Sequence, residues 1–151
     1  MGGEREGDQR VLSLRQHPPL RQISEGRMSL RMNAELKFHH VGIPTEVPRD
    51  HEVYLEKFKT FVSGFETSRY GVEWMRFEDD APLPELVKTV PHVAFVVEDL
   101  QEAIAGHEVL ISPNSPSEGI TVAFIVDNGA PIELLQFHGP EFEVWPGSQG
   151  E

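Results

Sequence analysis

His92-Val93-Ala94-Phe95-Val96-Val97, followed by Glu98-Asp99-Leu100 and closed much later by Ile132-Glu133-Leu134-Leu135-Gln136-Phe137, decides how this chain folds. The first six residues are nearly continuously apolar, as in a strand covered on both faces. Asp99 then stands where an N-cap belongs, ahead of Leu100, Ala103 and Ile104 at helical spacing, and Gly106 is placed to end that helix. Three further strand-like runs follow at 108–112, 120–126 and 131–137, the last two joined by the hairpin signal Asp127-Asn128-Gly129-Ala130. The expected order is βαβββ.

Toward the N-terminus the same pattern returns in weaker form. His40-Val41-Gly42-Ile43 matches His92-Val93-Ala94-Phe95, and Val72-Glu73-Trp74-Met75-Arg76-Phe77 matches the closing strand of the second half. Residues 36–43 alternate with a period of two until Pro44 stops the run, while 57–65 and 72–77 read as an antiparallel pair joined by a polar turn. A short helical turn is expected over 85–89. His40 and Glu73 are 33 residues apart and His92 and Glu133 are 41 apart, so the first half is expected to lack a turn or two of helix, or a strand, between Pro44 and Glu56.

Alternation along strands says what these four residues can do together. His40 shares a face with Gly42, and His92 with Ala94, so a very small residue sits beside each imidazole and space for a ligand is expected there. Glu73 and Glu133 each start an otherwise apolar, inward-looking row, and an isolated buried carboxylate is expensive. One divalent cation, of Zn, Ni, Co, Mn or Fe, would satisfy two imidazoles and two carboxylates at once. His40, Glu73, His92 and Glu133 are therefore the expected metal ligands. His39, His51, His107 and His138 read as ordinary hydrogen-bonded histidines, Glu78-Asp79-Asp80 as a solvated loop, Trp74 and Met75 as core, and Arg76 as a surface charge.

Charge narrows the class of partner. The chain has 151 residues, a formal net charge of -12, no cysteine and 38% hydrophobic residues, which excludes a disulfide scaffold and argues against nucleic acid or an anionic membrane surface. Residues 1–31 carry six arginines against four acids and no aromatic residue, whereas 32–151 carry seven basic and 21 acidic side chains. The expected organisation is a disordered or over-extended leader at 1–31, a single domain at 32–140 with halves at about 36–80 and 91–138, and a tail at 141–151. A cytoplasmic location is expected, since no apolar signal region follows Met1 and no run suits a membrane span.

The paired halves, the strand His40-Val41-Gly42-Ile43 and the closing strand Ile132 to Phe137 after Asp127-Asn128-Gly129 resemble the vicinal oxygen chelate superfamily, which includes glyoxalase I, methylmalonyl-CoA epimerase, extradiol dioxygenases and the fosfomycin- and bleomycin-resistance proteins. That resemblance, over roughly 36–137, implies an α+β fold in which two paired βαβββ modules, the first shortened, curl into a cup-shaped mixed sheet around one metal. It also implies ligands at the first and last strands of each module, here His40, Glu73, His92 and Glu133.

The chemistry implied is proton transfer on a small substrate that chelates the ion through two neighbouring oxygens (2-oxo, hydroxyacyl or thioester-like), as in a glyoxalase, epimerase or lyase, with Glu133 and Glu73 as the catalytic carboxylates. With iron and only three ligands, His40, His92 and Glu133 would instead form the facial triad of an extradiol dioxygenase. A non-catalytic, resistance-type binding protein is the reading from a different class. The partner is a small molecule, and a homodimer is compatible with the sequence.

Overall fold

Asp99 does what its position suggests: its side chain accepts a hydrogen bond from the Glu102 backbone N–H at 3.2 Å, a cap contributing about 1 kcal/mol to a helix only one turn long. In the computed structural model, which describes residues 35–141, that helix is one of two; the leader at 1–31, the boundary at Met32 and the tail beyond Glu141 lie outside the described residues. The elements are β1 (Lys37–Pro44), β2 (Val53–Leu55), β3 (Thr60–Ser63), β4 (Val72–Phe77), α1 (Glu85–Thr89), β5 (His92–Val96), α2 (Leu100–Ile104), β6 (Glu108–Asn114), β7 (Ile120–Asp127) and β8 (Ala130–Phe137), with two short 3-10 turns beside β3. Among the described residues no helix is long and apolar enough to cross a membrane.

All eight strands form one mixed sheet in the order β2-β3-β4-β1-β5-β8-β7-β6, curled into a half-barrel. The order is symmetric about the β1/β5 seam. In each half the first strand pairs in parallel with the last, β1 with β4 and β5 with β8, and the two first strands pair with each other antiparallel. The β7–β8 hairpin turns at Asn128 and Gly129, both at positive φ (48° and 79°), the conformation that makes Asn-Gly the preferred two-residue turn.

The first half is shortened where its spacing predicts, by loss of the helix. Between Pro44 and Glu56 the chain keeps a strand, the three-residue β2, and has no helix. The run expected as a strand over 57–65 is also shorter. Glu56–Phe58 winds as a 3-10 turn and Lys59 takes a left-handed conformation (φ 48°), so pairing with β4 begins at Thr60. Short stretches of Phe, Val, Lys and Thr carry strand composition without setting strand ends.

Burial is concentrated in the second half. Ala94, Ile120, Val122 and Leu135 form one cluster, and Val97, Leu100, Ala123, Ile125 and Leu134 form another on which α2 sits. Each fully buried Leu or Ile contributes about 1.5–3 kcal/mol. This packed half is the platform against which the site is held.

Candidate metal centre

Sheet register places the four expected ligands in two rows on one face. In the first row His40 lies opposite Ala94, which in turn lies beside Glu133; in the second, His92 lies opposite Gly42, which lies beside Glu73. Within each row the imidazole and the carboxylate are two strands, about 10 Å, apart at the backbone, so they meet only by reaching over the small residue between them. Gly42 shows how tight this is. A Cβ built there would lie 2.0 Å from His92 Cε1. The space expected for a ligand beside His40, over Gly42, is therefore filled by the His92 ring.

Three of the four converge. His92 Nε2 is 2.9 Å and His40 Nε2 is 3.1 Å from Glu133 Oε2, and the two nitrogens are 3.3 Å apart. Ligands bonded at about 2.0–2.2 Å to one ion stand about 2.8–3.1 Å apart when the bonds are at right angles and about 3.3–3.6 Å apart in a tetrahedron, so this triangle has the size of one face of a metal coordination shell. His40, His92 and Glu133 are thus close enough to hold a metal ion. The donor chemistry fits too: two imidazole nitrogens and a carboxylate oxygen suit a first-row divalent metal.

Glu73 is buried in the same place but stands back. Its Oε1 is 3.9 Å from His40 Nε2, and it is not part of the group whose donor atoms all lie within 4.8 Å of one another. Two ligands on one ion can be at most about 4.4 Å apart, so as placed Glu73 flanks the triangle and does not complete it.

The electrostatics separate the two acids. Burial opposes ionisation of Glu133, yet the charge of His40 and hydrogen bonds from His40 and His92 hold its carboxyl well below the usual range. Burial pushes Glu73 up to about 7, with His40 pulling only partly the other way and the Glu133 charge adding to the rise. For His40, burial works against the charged form, but Glu133 outweighs it and the pKa is raised.

Glu73 and Glu133 also face a cavity of about 100 Å³ whose walls are mostly apolar, including Val62, Met75, Val122 and Phe124. Met75, expected in the core, is thus wall. His40 and His92, each 1% exposed, lie behind the carboxylates.

Residues outside the four sort themselves plainly. Arg76 makes a two-pronged ion pair with Glu52 at 2.9 Å, Tyr70 is exposed, and residues 78–80 are solvated. His138 Nε2 is 2.9 Å from Thr121 Oγ1. His39 is the residue that sequence reasoning undervalued. The β1–β5 register slips by one between Phe38 and His40, so His39 is the extra residue of a bulge and its ring contacts His40 instead of turning to the other face. Two adjacent histidines in an alternating strand are the only sign of this in the sequence.

Compared with protein-family models and with curated proteins, the chain matches none of either. Function therefore rests on the geometry.

Proposed function

We propose that this chain is a metal-dependent enzyme of the vicinal oxygen chelate type, moving a proton on a small substrate that presents two neighbouring oxygens. The observation that carries the reading is the triangle of His40 Nε2, His92 Nε2 and Glu133 Oε2 with edges of 2.9 to 3.3 Å, whose Glu133 faces an apolar cavity. The two-row register that builds it, a first-strand histidine and a last-strand glutamate from each half, supports the superfamily reading.

A divalent ion bound there would supply Lewis-acid polarisation of the substrate's oxygens. His40 and His92 contribute neutral donors and Glu133 a negative charge. Glu73, facing the same cavity without belonging to the triangle, is placed to take a proton from a substrate carbon and return it. The apolar walls keep bulk water from competing for that proton.

The three-ligand set also favours a second reading. Two histidines and one carboxylate with open positions are the donor set of non-haem iron oxygenases, so an extradiol-type oxygenase is the alternative. One experiment separates them. Metal-loaded protein is incubated in D2O with 2-oxo and hydroxyacyl-thioester compounds, and separately with catechols under oxygen. Deuterium entering the carbon beside the carbonyl, reduced about 100-fold or more in Glu73→Gln, supports proton transfer. Oxygen uptake with catechol and no deuterium entry overturns it in favour of the second reading, and tight binding without either reaction marks a binding protein.

A further inference from the structure

His39 Nδ1 and His40 Nδ1 are 2.6 Å apart, and His39 Nε2 contacts Glu141 Oε1 on its far side. Two ring nitrogens that close share one hydrogen, so one ring donates and the other accepts. A carboxylate only accepts. His39 therefore carries its proton on Nε2, toward Glu141, and its Nδ1 is the acceptor for a proton on His40 Nδ1. That leaves His40 Nε2, the atom facing Glu133 and His92, as the nitrogen that offers a metal its lone pair once the ion takes the place of the proton shared with Glu133. The reverse assignment would set the Glu141 oxygen against a nitrogen lone pair.

The surroundings hold this chain of contacts in place. The His39 ring stacks on Phe65 with centroids 4.9 Å apart and planes 15° from parallel, and Phe137 lies on another side at 6.0 Å. Its side chain is 5% exposed while that of Glu141 is 48% exposed, so the line of contacts runs from the buried ligand to the surface. The bulge in β1 is what brings the second ring into line. Outer partners of this kind orient a ligating histidine and fix its tautomer.

We propose that His39 is a positioning residue which, together with Glu141, locks His40 in the tautomer that holds the metal. The proposal rests on the metal-site reading above and adds a residue pair which that reading does not require.

Cobalt(II) titration of the full chain tests it, alongside nitrogen-15 NMR of the imidazoles in metal-free protein. His39→Phe keeps a ring against Phe65 but removes the acceptor, and metal affinity should fall about 10- to 100-fold. His39→Asn, whose side-chain oxygen stands near the position of the lost Nδ1, should recover most of that affinity, and Glu141→Ala should fall between. In wild type the NMR should show His39 protonated on Nε2 and bare on Nδ1. Wild-type cobalt affinity in a folded His39→Phe variant, or a proton on His39 Nδ1 in wild type, would overturn the proposal. If wild type binds no cobalt, the metal reading has failed, and the His39 tautomer still decides the hydrogen-bond chain on its own.

Discussion

The half of the sheet from β1 to β4 and the half from β5 to β8 share strand order and register, but only the second carries a helix between its first and second strands, packed on β7 and β8, and clustered core on both sides of its strands. Their glutamates differ accordingly. Glu133 sits on a strand backed by Leu134 and Leu135, both buried, and lies 2.9 Å and 3.1 Å from the two imidazoles; Glu73, on the half without that backing, stops 3.9 Å from His40. The residue each side chain must cross differs as well. His40 reaches Glu133 over the methyl of Ala94, while His92 lies flat over Gly42, whose missing Cβ makes room for the ring. The supports differ too. His40 is held from behind by His39, but His92 Nδ1 is buried with no hydrogen-bond partner among the described residues. One symmetric frame thus puts one glutamate within the candidate metal-binding triangle and the other beside it.

Exchanging the two acids' roles would break this comparison, and there the largest effect is expected. Glu133→Gln should weaken metal binding by more than about 100-fold, beyond the usual loss for an outer partner, whereas Glu73→Gln should leave it within a few-fold. Calorimetric titration of both variants checks this. Equal losses would show that Glu73 is a fourth ligand and that the halves are functionally alike.

Stability against pH sharpens the same contrast in chelator-treated protein. Glu73 has a folded pKa of about 7 against an ordinary 4.5, so its contribution is fully present below about pH 4.5 and is lost as pH rises through 7, by roughly 3 kcal/mol. Glu133 has its pKa lowered, so its contribution is present above about 4.5 and is lost as pH falls toward that depressed value. His40, raised from 6.5, adds a loss on the alkaline side. Denaturant melts from pH 4 to 8 should therefore show a steeper alkaline decline in wild type than in Glu73→Gln. Identical slopes would mean that Glu73 is solvated.

The smallest expected effect concerns the two crossing points. Gly42→Ala puts a methyl into the His92 ring and should destabilise by about 1–3 kcal/mol while weakening metal binding. Ala94→Gly should cost only about 0.5–1 kcal/mol and leave the triangle in place. Thermal melts of the two variants, with and without metal, distinguish them. An equally harmless Gly42→Ala would show that His92 does not rest on that glycine.

Much of this frame was legible in the sequence because it depends on local alternation. A histidine followed two residues later by Gly42 or Ala94, with a Glu-led apolar strand further on, is a pattern that survives without knowing which strands pair. What escaped depends on pairing. The bulge that turns His39 toward His40 exists only relative to β5, and the strand at Val53–Leu55 is held by β3 and not by its own composition. The shortfall in the first half was readable as a difference in spacing. That it was a helix, with the strand retained, was not, since three residues of sheet leave no periodicity to count. Nor does alternation measure how far a side chain reaches, and the distance separating Glu73 from the triangle is a matter of a few ångströms.

The most direct measurement is an anomalous-difference map from a crystal of the zinc- or cobalt-loaded protein, collected at the metal's absorption edge. The account predicts a single peak about 2.0–2.2 Å from His40 Nε2, His92 Nε2 and a Glu133 oxygen, with Glu73 beside it and unbonded. No peak among those three residues, or one held by other side chains, would contradict it.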